Sequence, residues 1–340
     1  MRQTATSYRG IKVLVTGGDG FIGSHLVEQL AAAGAEVTAL ALYNAFDGNG
    51  WLDDLAGETR KAIRVERGDM RDAAFVMRLC EGQEIVFHLA ALIAIPYSYI
   101  AAQSYVDVNV TGAVTLLEAA RMHKPRRIVM TSTSEVYGTA IAAPIDEAHL
   151  LQAQSPYAAS KIAADMMAHA YALSFGVPAY VLRPFNTYGP RQSERAVISS
   201  VIRQAIDPRC ETIRIGDLTP TRDFVFVDDT AAAFLAMGES GAVEPGRAYN
   251  AGTGTAVSIG EMVELVRAKT ATNKPVETEA TRLRPQDAEV RALLADATEF
   301  NAATGWAVAT ALTDGIEQTI TWWRARHAAG EVRRQDAYVL

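Results

Sequence analysis

Six short apolar runs mark the first half of the chain: IKVLVT (11–16), EVTALAL (36–42), AIRVERGD (62–69), EIVFHLA (84–90), RRIVMTS (126–132) and PAYVLRP (178–184). Most of them hold a continuous apolar stretch rather than alternating, the pattern of strands covered on both faces of a parallel sheet. Between them, apolar positions recur with helical period, most clearly in GSHLVEQLAAAG, SYVDVNVTGAVTLLEAARMH and SPYAASKIAADMMAHAYALSFG. Alternation of this kind predicts an α/β fold built on a doubly wound parallel sheet over residues 1–184. After residue 185 the rhythm loosens into short mixed elements such as ETIRIGD, FVFVDDTAAAFLAMG and SIGEMVELVRA. These predict a smaller mixed α/β C-terminal lobe over 185–330, with parts of 222–253 returning to the first domain and 331–340 as a tail. No internal repeat or low-complexity linker separates the two lobes, so they should share an interface.

Composition narrows the function. With 340 residues, about half of them apolar, the chain can bury a sizeable core. A net charge of −7 offers no basic field for nucleic acid or an anionic membrane. The N-terminal MRQTATSYRG has no apolar leader core, and no apolar run is long enough to span a bilayer, so a cytoplasmic protein is expected. Cys80 and Cys210 stand alone, and the six histidines show no metal-ligand spacing, so neither a disulfide framework nor a metal site is expected.

The first chemical motif is VTGGDGFIGSHL, directly after the first strand and opening the first helix. Gly17 permits a tight turn, Gly20 admits a pyrophosphate to the backbone, and Gly23 lets helix and sheet approach, with Phe21 and Ile22 at the helix N-terminus that faces the phosphates. That context predicts a Rossmann-type dinucleotide site. An acidic residue is expected at the end of the second strand to hold the adenosine ribose, yet the position is Ala41. No Arg or Lys between Ala41 and Gly50 could take a 2′-phosphate instead, so NAD is favoured over NADP. Asp69, followed by Met70, is a candidate for the adenine, or else a turn residue after the third strand.

Tyr157 and Lys161, in YAASK, lie four residues apart on one helix face. A neighbouring ammonium and an oxidised nicotinamide would both lower the tyrosine pKa and make it a base toward a sugar hydroxyl. The spacing alone is common on helix surfaces. Upstream, however, TSTSEVYG places Thr133, Ser134 and Glu135 at the carboxyl edge of the sheet, where doubly wound folds bind ligands.

Together with HLAA (88–91), DVN (107–109), RPFNTYGPRQ (183–192), TRDFVFVDD and RLRPQD, these motifs span nearly the whole chain. The sequence resembles the extended short-chain dehydrogenase/reductase family of NAD-dependent nucleotide-sugar epimerases, dehydratases and decarboxylases. The resemblance implies that Leu89, Ala90, Ala91, Asn109, Tyr157 and Lys161 line the cofactor. It implies that Tyr157, helped by Thr133 and Lys161, takes the proton of the sugar 4-hydroxyl while C4 gives hydride to the nicotinamide. It also implies that Asn186, Arg191, Arg222 and Arg284 hold the substrate diphosphate and ribose, with Tyr97 and Ser98 near the hexose. Guanidinium forks suit two phosphates, and the C-terminal lobe is accordingly the expected substrate lobe.

The fate of the 4-keto sugar decides the product. Glu135 beside a keto sugar can remove the C5 proton, whereas 4-epimerases tend to have a small or neutral residue there. Ser134 departs from the Asp found in many 4,6-dehydratases, and the Thr-Ser-Glu triplet also resembles UDP-glucuronate decarboxylases. ALYNAFDGNGWLDDL and AIPYSYIAAQSYVDVNVTG look like the branch containing LegB-type dehydratases of nucleotide-linked N-acetylglucosamine. A 4,6-dehydratase acting on UDP- or GDP-N-acetylglucosamine is therefore favoured, with decarboxylation or 4-epimerisation as alternatives and a non-catalytic NAD-binding regulator as a remote one. Relatives pair their two long helices into a four-helix bundle, which implies a homodimer.

Overall fold

Val13, Leu14 and Val15 of the first strand are fully buried, so both faces of that strand are covered, as its uninterrupted apolar run requires. In the computed structural model, which describes residues 8–283 and 289–332, twelve strands form three sheets. They are β1 (Lys12–Thr16), β2 (Glu36–Leu42), β3 (Arg64–Gly68), β4 (Ile85–His88), β5 (Arg127–Thr131), β6 (Ala179–Pro184), β7 (Asn186–Tyr188), β8 (Ile213–Ile215), β9 (Thr221–Phe226), β10 (Ala248–Ala251), β11 (Ala256–Ser258) and β12 (Val276–Thr278). The main sheet is wholly parallel, in the order β10-β6-β5-β4-β1-β2-β3. Its connections run one way from β1 to β3 and the other way from β4 onward, so the strand order reverses between β1 and β4. Ligands bind at such a switch point, outside the carboxyl ends of the strands.

One apolar core lies under the helices Phe21–Ala32 and Val227–Glu239, the other under Ala73–Cys80, Gly112–His123 and Pro156–Phe175. This is the α/β, doubly wound Rossmann-type fold. A third core, around Tyr188, Ile202, Phe226, Met262 and Trp323, belongs to the C-terminal part, where the sheets β11-β9-β7 and β12-β8 pack with the helices Val197–Ile206, Ile259–Thr270 and Leu312–Ala328. No helix among the described residues is long and apolar enough to cross a membrane.

Local chemistry sets the helix ends near the site. In Pro156–Phe175 the Ser155 hydroxyl accepts from the Ala158 N–H, Pro156 fills the first turn where no N–H partner is needed, and Gly176 closes the helix at φ 65°. The predicted helix over SYVDVNVTGAVTLLEAARMH forms, but Val106–Thr111 widens into a π-turn between Ala102–Tyr105 and Gly112–His123. Such bulges redirect side chains and recur at functional sites. This one contains Asn109, whose amide accepts from the Leu92 N–H (2.8 Å) and donates to the Leu92 carbonyl (3.0 Å) and the Ser160 hydroxyl (2.9 Å). The segment after β4 is thereby fixed to the helix that carries Tyr157.

Candidate active site

The glycine turn has the geometry a dinucleotide requires. Gly17 adopts φ 68° with its back to the segment after β4, so an added Cβ would lie 2.7 Å from the Ala90 nitrogen. A Cβ at Gly23 would lie 2.0 Å from the Gly17 carbonyl, so only glycine lets the helix start this close to the turn. An added Cβ at Gly20 would meet nothing nearer than the Gly17 carbonyl at 3.2 Å, which leaves its outer side open to a phosphate. Phe21 and Ile22 open the helix and pack against the C-terminal core. The Leu89 N–H reaches the Thr16 carbonyl (3.0 Å), the Ala90 N–H the Thr16 hydroxyl (3.3 Å), and the same hydroxyl pairs with His88 Nδ1 (2.8 Å), aligning 89–91 along the turn. These residues fit a bound dinucleotide.

Across the switch point, β5 ends in a tight turn. The Thr133 hydroxyl accepts from the Glu135 N–H (3.2 Å) and hydrogen-bonds the Tyr157 phenol. Ser134 and Glu135 are buried, and the Glu135 charge lies close enough to act on that phenol. Lys161 donates to the Thr131 carbonyl. Tyr97, Tyr105 and Tyr157 form a file of rings with centroids 6.3 and 6.2 Å apart.

Burial works against one electrostatic expectation. The Tyr157 phenol is pushed up, not down, because burial outweighs the Thr133 hydrogen bond and the nearby carboxylates, Glu135 first, add to the rise. The expected lowering by Lys161 does not dominate, because that side chain turns to the Thr131 carbonyl and its own pKa is pulled down to about 8 by burial, with Asp165 opposing. Burial, with the help of Lys161, takes His88 down to about 3, so it is a neutral hydrogen-bonding group at physiological pH.

Behind Lys161 lies a polar network whose individual contacts sequence reading missed. The Asp165 carboxylate takes Ser132 (2.8 Å) and Arg183 (3.0 Å), both ion-pair partners being 4% exposed. Arg183 continues to the Tyr137 hydroxyl (2.9 Å), which donates to Asn250 on β10 (2.7 Å). Removing one member of a buried ion pair costs about 3–5 kcal/mol, so the network holds β5, β6, β10 and the Tyr157 helix in one register. The signal available beforehand was Asp165, one helical turn beyond Lys161.

The expected substrate residues divide. Asn186 on β7 has a buried Oδ1 without a hydrogen-bond partner among the described residues, a group suited to accept from a ligand. Arg222 on β9 is buried and reaches Glu289 (3.2 Å). Tyr97 is 40% exposed beside Tyr105, but Ser98 is fully buried and donates to the Ile95 carbonyl of its own turn (2.7 Å), so it does not face a hexose. Arg191 is likewise placed elsewhere: at φ 67° its chain turns back to the helix Phe21–Ala32, where it binds Glu28 (2.7 Å) and the Ser24 hydroxyl (3.2 Å). Together with His25, which reaches Asp228 (3.0 Å) and the Pro190 carbonyl (3.1 Å), it ties the segment after β7 to the helix Phe21–Ala32. Arg284 lies outside the described residues. Asp69 is engaged by Arg71 (2.5 Å), which lowers its pKa, and Met70 is buried against Gly112. Arg195, not singled out in the sequence, is exposed and near enough to lower the Tyr105 phenol pKa against the effect of burial.

A glycine turn at the switch point, with Thr133, Tyr157 and Lys161 across from it, is an arrangement suited to exchanging a proton and a hydride with a bound alcohol. The family model for GDP-mannose 4,6-dehydratase matches residues 14–319, and the chain belongs to that family of nucleotide-sugar epimerases and dehydratases. It is 36% identical to a dTDP-glucose 4,6-dehydratase of Streptomyces griseus, over 92% of this chain and 93% of that one. It is 34% identical to a UDP-glucose 4-epimerase of Mycolicibacterium smegmatis, over 92% and 99%. Among solved structures, MoeE5 in complex with UDP-glucose and NAD superposes with a TM-score of 0.81 at 31% identity, over 93% of this chain and 99% of that one. MoeE5 is solved with NAD, and the family is NAD-dependent.

Proposed function

We propose that the protein is an NAD-dependent nucleotide-sugar 4,6-dehydratase acting on UDP- or GDP-linked N-acetylglucosamine. The observation that carries this reading is Glu135, a buried carboxylate whose charge acts on the Tyr157 phenol, on the turn that Thr133 caps. NAD, when bound along the glycine turn and residues 89–91, would supply hydride acceptor and donor chemistry and a positive ring charge that favours the phenolate. Tyr157 accepts the proton of the sugar 4-hydroxyl, with Thr133 holding the phenol oxygen. The 4-keto group makes the C5 hydrogen acidic. Glu135 removes it, and the proton leaves with the 6-hydroxyl as water. The proton that Tyr157 accepted balances the one that C5 regains, so the product is the substrate less one water and no net redox change occurs. Asn186 and Arg222 are the described residues best suited to the nucleotide diphosphate, which Arg284 would join.

Mass spectrometry of the product, from incubation with NAD and a panel of UDP- and GDP-linked N-acetylglucosamine, glucose, mannose and glucuronate, tests this reading. Loss of one water is expected. Loss of carbon dioxide from the glucuronate would mean the decarboxylase, an unchanged mass with altered retention the epimerase, and no turnover of any substrate a binding protein.

The protein is further proposed to be a homodimer. Val106, Met122, Met166, Leu173 and Phe175, on the helical segment 102–123 and the helix Pro156–Phe175, are between 46% and 73% exposed, apolar surface that pairing of these helices with a second copy would cover. Light scattering should give twice the chain mass of 36.6 kDa. A monomer mass would remove the dimer.

A further inference from the structure

The end of β2 lacks the carboxylate that holds the adenosine ribose in most dinucleotide folds, because Ala41 occupies the position and is fully buried. A carboxylate nonetheless arrives there from another element. Asp19, inside the glycine turn, reaches across so that its Oδ2 accepts from the Leu42 N–H at 3.0 Å. Its backbone is fixed as well: the Trp51 N–H donates to the Asp19 carbonyl (3.0 Å), and at Gly50, held at φ 56°, a Cβ would lie 2.5 Å from that carbonyl.

The surrounding charges are already matched. Asp53 pairs with Arg60 (2.5 Å) and Asp47 with Arg67, whose Nε also donates to Asn49 (2.7 Å). Among the described residues, Asp19 has no cation as a hydrogen-bond or ion-pair partner, only backbone N–H groups, and burial raises its pKa. A half-buried carboxylate short of donors, at the point where two ribose hydroxyls arrive, has the chemistry to accept from them. Leu42 and Tyr43, 59% and 70% exposed, flank the same edge and would give an adenine an apolar surface.

Arg67 matters to the same choice. It is the β3 register partner of Ala41, so a cation stands next to the empty ribose position although none comes directly after β2 in the sequence. Asp47 neutralises it from a positive-φ turn (φ 57°).

We propose that Asp19 takes the place of the missing β2 carboxylate, binding the adenosine ribose hydroxyls and selecting NAD over NADP, while Asp47 keeps Arg67 from serving a 2′-phosphate. A 2′-phosphate would bring two negative charges against the Asp19 carboxylate and remove one hydroxyl donor. NAD and NADP would therefore be separated by a residue of the phosphate-binding turn itself.

Displacement of bound NADH from the full chain, followed by its fluorescence, tests this with NADPH and 2′-deoxy-NADH as competitors. In the wild type both should displace NADH at least about tenfold less well than NADH displaces itself, the worth of one hydrogen bond to a charged group. In Asp19→Asn, which keeps an oxygen for the Leu42 N–H, both ratios should fall toward one. Asp47→Asn should favour NADPH alone. Wild-type protein that fails to distinguish 2′-deoxy-NADH from NADH would overturn the proposal without any variant. So would Asp19→Asn retaining the wild-type ratios, since equal weakening of all three nucleotides is what a purely structural role in the turn would give. The readout is nucleotide selection, so it stands or falls separately from the identity of the sugar product.

Discussion

Replacing Tyr157 with Phe should lower turnover about 10²-fold or more while leaving nucleotide-sugar affinity nearly unchanged. The ring is buried, packed edge-on against Tyr105, and its hydroxyl is bound by Thr133. Phe keeps the ring and its packing and removes only the oxygen that exchanges a proton with the 4-hydroxyl. The effect should therefore fall on kcat rather than on binding, and because C4 oxidation comes first, no 4-keto sugar should accumulate. Steady-state kinetics with isothermal titration of the nucleotide sugar would show it. Activity near the wild type would remove Tyr157 from the chemistry, and a parallel loss of affinity would mean that the residue is structural.

The second large effect lies one step later. Glu135→Gln should slow product formation by roughly 10²–10⁴-fold, the usual contribution of an acid/base group, yet leave C4 oxidation in place. Gln is close in size to Glu, so the buried turn after β5 keeps its packing while losing the base. Reduced nicotinamide and 4-keto sugar should then build up in stoichiometric amount with the enzyme, visible by absorbance in a stopped-flow experiment. The pair of variants thus separates the two halves of the reaction: Tyr157→Phe blocks before the keto sugar, and Glu135→Gln blocks after it. Wild-type rates in the Gln variant would exclude Glu135 as the C5 base.

The parts of this arrangement legible in the sequence are those governed by local chemistry. Six strands of the main sheet lie within the runs that announce them; the inner ones are mostly apolar because both of their faces are covered, whereas β3 (RVERG), at the sheet edge, has no buried residue. The glycines at 17 and 23 were legible because each is demanded by a close backbone contact, whereas Gly20 was legible only as part of the turn's spacing. Long-range pairings were not legible. Nothing near Arg191 in the chain indicates that a positive φ would return its guanidinium to Glu28, and Arg67 becomes a neighbour of Ala41 only once β2 and β3 are paired in register. The rise that burial imposes on the Tyr157 pKa was not legible, because proximity along a helix is readable in a sequence, whereas burial of the phenol and the turn of Lys161 to Thr131 are properties of the folded chain. Asp165 falls between these cases. Its spacing from Lys161 is local, but its tie through Arg183 and Tyr137 to β10 crosses the sheet.

The most direct test of the central claim tracks one atom. Nucleotide-linked N-acetylglucosamine carrying deuterium at C4 should give, with the protein and NAD, a product one water lighter in which NMR finds the deuterium in the new C6 methyl group, because the hydride taken from C4 is the one returned to C6. Deuterium retained at C4 in a product of unchanged mass would contradict dehydration and establish that the keto sugar is simply reduced again where it was oxidised.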